Sequence, residues 1–332
     1  MAGLGGSAHV RSAAAPPRFT PMRLVVALGG NAMTAADGTA GPEDQRAAIA
    51  SAMDSVADLI QDGHQVVLTH GNGPQVGNLL LKNELAAEFV PPVPLDWCGA
   101  QTQATIGMLV LDTLDEALAD RGLDIRSAAL VSRTLVDAAD PGFTNPSKPI
   151  GRYVSAGEAA LMIDHGQHWV SAGARGWRRV VASPEPLECL DFPAAEALIT
   201  AGYVVVCCGG GGIPTVHRDS EGYAGIEAVI DKDLTAALLA ERLGADALVI
   251  ATDVGAAVVG WGTDEARPLG ELSAARMREL AAAGHFAAGS MGPKVEAVTR
   301  FTEHTHRTGI ITSLPQITDA VAGRVGTRVV AG

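Results

Sequence analysis

Four short runs dominate the sequence: RLVVAL at 23–28, QVVLTH at 65–70, YVVVCC at 203–208 and ALVIAT at 247–252. Each is apolar almost without interruption, and none alternates strictly between apolar and polar residues. A strand wetted on one face alternates, so these runs read as strands buried on both faces, as in a parallel sheet covered by helices. Each run also feeds a glycine-containing turn, and helical periodicity returns between the runs. After the first, EDQRAAIASAMDSVADLIQDG places Ile49, Met53, Val56 and Ile60 on one face and ends at Gly63. Strands alternating with helices in this way predict a doubly wound α/β fold.

Composition narrows the class. With 47% hydrophobic and 18% charged residues over 332 positions, the chain has the apolar material for a large core, which excludes disorder over most of its length. A net charge of −13 makes it a poor partner for a nucleic-acid backbone or an anionic membrane. No apolar stretch approaches the length of a membrane-spanning helix. Cys98, Cys189, Cys207 and Cys208 form no CxxC pair, and they read as buried thiols of a reducing, cytoplasmic compartment. Residues 1–21, rich in Ala, Gly and Pro, are expected to be a disordered tail ahead of one domain at 22–332. Residues 137–179 break the pattern with prolines, glycines and aromatics. They are expected to form an inserted lid subdomain, the alternative being a long surface loop.

Ligands of open α/β sheets bind beyond the carboxyl ends of the strands, where glycine turns admit a phosphate and helix starts favour negative charge. Four such turns occur: Gly29-Gly30-Asn31, Gly71-Asn72-Gly73, Gly209 to Gly212, and Gly289 to Gly292. One glycine turn is weak evidence, because most are merely tight connections; four together point to a ligand. The familiar signatures fail. LGGNAM lacks GxGxxG spacing, no Gly-Lys dipeptide exists for a Walker A loop, and no GxSxG is present. His217-Arg218-Asp219 imitates a protein-kinase catalytic loop, but neither its Asn nor a DFG follows. His165 and His168 share i, i+3 spacing without a carboxylate partner, so no metal-ligand set is expected.

The lysines carry the sharpest signal. Of 24 basic residues only four are lysines, and Lys82 lies on an ordinary solvated helix face, LLLKNELAAE. Lys232 heads the helical stretch DKDLTAALLAERLGA, and Lys294 follows Pro293 at the start of PKVEAVTRFTEH. A cation at a helix N-terminus is disfavoured by roughly 0.3–1 kcal/mol, and a bound polyphosphate reverses that penalty. The plainer reading is that the aliphatic stems pack and the ammonium groups reach water. It suffices for either lysine alone, but poorly for both.

These residues fall in motifs that resemble the carbamate kinases, within the amino-acid-kinase superfamily. LVVALGGNAM, LTHGNGPQVGNLLL, PLDWCGAQTQATIG, NPSKPIG, CGGGGIP, IEAVIDKDL and FAAGSMGPKVEAV carry the likeness, in order from about Met22 to Gly332. The resemblance implies a three-layer αβα sandwich around a mainly parallel open sheet, with a small protruding subdomain, usually as a homodimer. It implies reversible phosphoryl transfer between carbamoyl phosphate plus ADP and ATP plus carbamate, in arginine metabolism, with Mg²⁺ held mainly by nucleotide phosphates. Carried over by motif, Lys148 of NPSKPIG reaches the carbamoyl phosphate from the subdomain. Lys232 and Lys294 flank the transferring phosphoryl group, and Asp231 orients the lysines. Gly29, Gly30, Asn31, Gly71, Asn72 and Gly73 line the acceptor and phosphoryl pocket. Gly209, Gly210, Gly211, Thr252, Asp253, Met291 and Pro293 bind the nucleotide. Two competing readings are a sister kinase acting on another small acid or phosphonate, and a catalytically silent dimeric ligand sensor.

Overall fold

Arg23–Leu28 forms strand β1, and its side chains divide between two cores. Leu24, Val26 and Leu28 face one, while Val25 and Ala27 face the other, all fully buried. The first core is closed by helices α1 (Pro42–Gln61) and α3 (Leu95–Asp120), through residues such as Ile49, Met53, Ile106 and Leu114. Helices Lys232–Arg242 and Met291–Thr305 close the second, through Ala236, Leu239, Val298 and Phe301. The unbroken apolar runs therefore have the origin their composition implies: both faces of the sheet are dry. The computed structural model describes residues 20–34, 41–218, 222–287 and 290–332, so the expected tail lies, up to Phe19, outside the described residues.

The central sheet comprises β1, β2 (Gln65–His70), β3 (Ser127–Ala129), β4 (Val204–Val206), β5 (Ala247–Thr252), β6 (Glu271–Ser273), β7 (Thr308–Ser313) and β8 (Thr327–Val330). Their spatial order is β6-β8-β7-β5-β1-β2-β4-β3. Every pairing is parallel except β7 with β8. This is the three-layer αβα sandwich around a mainly parallel sheet that the sequence predicts.

The segment set apart at 137–179 builds a sheet of its own. Strands Lys148–Val154, Trp177–Val181 and His168–Ser171 pair antiparallel, with helix Ala156–Asp164 between the first and last in sequence. Its final strand runs two residues past the expected boundary, because Val181 pairs with Lys148 and is buried. Ile150 and Val181 pack with Val76, Leu95 and Cys98 in a third, small core, which fastens this protruding sheet to α3 and to α2 (Gly73–Ala86).

Candidate active site

The turns after β1, β2, β4 and β5 all leave the carboxyl edge of the sheet, where adjacent parallel strands direct their loops to one place. Gly71 N–H donates to Leu28 O at 3.0 Å, and Gly29 N–H donates to Ala251 O at 2.9 Å, which locks three of these turns together. Facing them are the first turns of α2, α4 (Lys232–Arg242) and α5 (Met291–Thr305). No side chain caps the N-terminus of α2 or of α5: the Asn72 amide donates instead to Thr102 Oγ1 at 2.9 Å. Unpaired backbone N–H groups at helix starts attract anions.

A cavity of about 290 Å³ opens at this convergence. Lys148, Lys232 and Lys294 all line it, brought together from the protruding sheet, α4 and α5. Asp231 caps α4 with one carboxylate oxygen, accepting from the backbone N–H of Asp233 at 2.9 Å, and takes Lys148 Nζ on the other at 2.7 Å. Asp233, which is buried, takes Lys232 Nζ at 2.5 Å and Lys294 Nζ at 2.9 Å, one on each oxygen. Burial pushes the Lys232 ammonium below its ordinary value, and the neighbouring Lys294 adds to this, against the attraction of Asp233. Burial alone would raise the Asp233 carboxyl, but the two ammonium groups outweigh it and hold it down at about 2. Three cations against two carboxylates leave a net positive cavity floored by helix N-termini, an arrangement suited to an anion.

Beneath the lysines the backbone is packed to contact. Gly210 has φ +68°, and a Cβ there would stand 2.1 Å from Asn72 Nδ2, so only glycine fits. The Gln103 amide donates to Gly209 O at 2.9 Å and to Ser132 O at 3.0 Å, tying the glycine turn to α3. His70 lies fully buried under the same turn and donates from Nδ1 to Gly71 O at 3.0 Å. Burial, with a smaller push from Lys232, lowers its pKa to about 4, so it is neutral at pH 7.

A second cavity, of about 430 Å³, adjoins the first and shares Gly30, Ser290 and Lys294 with it. Gly29, Thr252 and Asp253 line this second space. Of the other expected site residues, Gly71, Asn72, Gly73, Gly210, Asp231 and Pro293 line the lysine cavity. Asn31 belongs to the 3₁₀ turn Gly30–Met33, and Gly289 lies outside the described residues. Three residues expected at the nucleotide line neither cavity. Gly209 is pressed against the His70 ring, Gly211 against Ile230, and Met291 packs on the second core. Lys148 opens the strand Lys148–Val154 of the protruding sheet. Sequence reasoning missed Asp233, although the DKD triplet, with an acid on each side of a lysine, carried the signal. It also missed Ser290 and His70, which no charge or spacing pattern distinguishes.

The family model for the amino acid kinase family matches residues 22–313. A carbamate kinase of Trichomonas vaginalis is 40% identical over 312 residues, covering 93% of this chain and 99% of that protein. The chain belongs to the carbamate kinases. Carbamate kinase 3 of Staphylococcus aureus is 41% identical over 309 residues, covering 92% and 98% of the two chains. The carbamate kinase from Giardia lamblia, solved bound to AMP-PNP, superposes with a TM-score of 0.88 at 40% identity, over 94% of this chain and 99% of that one. Membership extends through the segments that supply Lys148, Lys232 and Lys294, and it makes the chain an ATP-dependent kinase.

Proposed function

We propose that the chain transfers a phosphoryl group reversibly between carbamoyl phosphate and ADP, giving ATP and carbamate, with Lys148, Lys232 and Lys294 as its catalytic cations. The convergence of these three lysines on one cavity, spaced by Asp231 and Asp233, carries this reading. In the direction of ATP synthesis, a β-phosphate oxygen of ADP forms a bond to the phosphorus. The bond from phosphorus to the carbamate oxygen breaks, and carbamate leaves as an anion. No proton moves, so no general base is required, and catalysis reduces to positioning and charge stabilisation. Lys148 grips the donor from the protruding sheet, while Lys232 and Lys294 neutralise charge on the moving oxygens. Lys294 lines both cavities, which suits a residue bridging nucleotide and phosphoryl group.

Mg²⁺ fits this site as an ion carried on phosphate. All four oxygens of Asp231 and Asp233 are already taken by lysines or backbone N–H groups, so they offer no ready cage. Bound there, the metal would offset phosphate charge. A homodimer is supported by α3, which exposes Trp97 and Met108 at 59% and 53%. Apolar side chains clustered on a surface mark association. Four unbridged cysteines suit a reducing cytoplasm. Incubation of the folded protein with carbamoyl phosphate and MgADP should yield ATP; absence of ATP above a Lys232→Ala control would overturn the reading.

A further inference from the structure

A third cavity, of about 470 Å³, lies between the protruding sheet and the body and shares no lining residue with the lysine cavity. Its apolar wall includes Leu80 of α2, Val93, and Met162 from the helix of the protruding segment. Three charged groups also line it: Arg179 from the protruding sheet, Glu84 from α2, and Glu227. Arg179 is half-buried, yet among the described residues its guanidinium has neither an ion pair nor a hydrogen bond. The likewise half-buried Arg121, Arg278 and Arg300 each hold a carboxylate. Glu227 spends one oxygen on the backbone N–H of Leu95, at 3.1 Å, and keeps the other available.

We propose that this cleft binds a free α-amino acid with an aliphatic side chain. Its carboxylate pairs with Arg179, its ammonium meets Glu84 and Glu227, and its side chain lies on Leu80, Val93 and Met162. Complementary charge selects this class. A simple anion would meet two carboxylates, and a simple cation would meet the guanidinium, whereas a zwitterion answers both signs. The volume lies within the range of small-molecule sites, and an apolar wall with a few polar groups is their usual composition. Occupancy reaches the reaction through short connections. Arg179 pairs with Ile150, and Val181, two residues on, pairs with Lys148. Glu227 is two residues from Val229, which lines the lysine cavity and donates to Ala182 O at 2.9 Å.

Calorimetry on the full chain tests this with three probes: L-leucine, 4-methylpentanoate without the ammonium, and 3-methylbutylamine without the carboxylate. L-leucine should bind saturably, and each truncated probe should bind at least about tenfold more weakly, the usual loss with a charged hydrogen bond. Arg179→Gln and the exposed Glu84→Gln should each weaken L-leucine by a similar factor while melting like the parent. Carbamoyl phosphate and ADP should leave L-leucine binding in place. No saturable binding, equal binding of all three probes, unchanged binding in Glu84→Gln, or displacement by carbamoyl phosphate would overturn the proposal. Because binding is read directly, it fails or stands independently of the catalytic reading.

Discussion

Asp233 holds Lys232 on one carboxylate oxygen and Lys294 on the other, so one buried anion sets the spacing of two ammonium groups in the lysine cavity. Removing its charge leaves two ammonium groups facing each other in a sparsely hydrated site, which costs on the order of 3–5 kcal/mol. Asp233→Asn should melt at lower temperature and lose roughly 10²-fold in turnover. Added MgADP should recover part of the stability, because its phosphates supply the missing negative charge. Thermal melts with and without MgADP decide it; parent-like melting and turnover would count against the spacing role.

The lowered Lys232 pKa predicts an early alkaline limb. In the proposed reaction Lys232 acts as an ammonium, so kcat/KM, which reports the free enzyme, should fall as pH rises while still below the ordinary lysine value of 10.5. Bound phosphate restores the charged form, so kcat should hold to higher pH. A kcat/KM profile flat through pH 10.5 would refute this.

Acid should unfold the protein in two stages. His70 is held neutral with a pKa near 4 against an ordinary 6.5, so the unfolded chain takes up a proton first. Stability should therefore decline as pH falls from 6.5 towards 4. Asp233, depressed to about 2 from 3.8, contributes stability that is complete above 3.8 and drains away below it. His70→Asn, which keeps a donor for Gly71 O, should make the first stage shallower and leave the part due to His64, whose pKa burial also lowers. Denaturant melts across pH measure both stages, and an unchanged slope in the variant would exclude His70 as the source.

Lys148 and Lys294 should separate kinetically. Lys148 lines the lysine cavity alone, whereas Lys294 lines both cavities. Lys148→Ala should lower turnover by about 10²–10³-fold, with little change in ADP affinity. Lys294→Ala should lose both. Equal loss of ADP affinity in the two variants would remove Lys148 from its assigned place.

The α3 surface should govern assembly. Trp97→Asp together with Met108→Asp places two charges on its exposed apolar side, which a shared interface would have to bury. Light scattering should report a dimer for the parent and a monomer for the variant. A monomeric parent, or a variant that stays dimeric, would exclude this face.

The sheet was legible because burial on both faces leaves its mark in every residue of RLVVAL and ALVIAT, and the lysines because their scarcity made position informative. Asp233 escaped attention because an acid in a helical first turn is ordinary; its significance comes from Lys294, 61 residues away. The place of Met291 in SMGPK points to the nucleotide, yet a helix turns successive side chains in different directions, and this one packs against the second core. The protruding segment is expected from sequence as an inserted subdomain but not as a sheet, since its strands are short and irregular between Ile150 and Tyr153.

β1 lies between β2, near it in sequence, and β5, whose pairing with it spans 223 residues. During synthesis the ribosome releases β1 long before its second neighbour exists. For most of translation a strand that is apolar from Leu24 to Leu28 keeps one row of amide and carbonyl groups unpaired, the arrangement that invites association with other chains. The strand that divides the two cores thus stays open along one edge until β5 is made, and β5 in turn waits for β7, which is the cost of building the sheet from its middle.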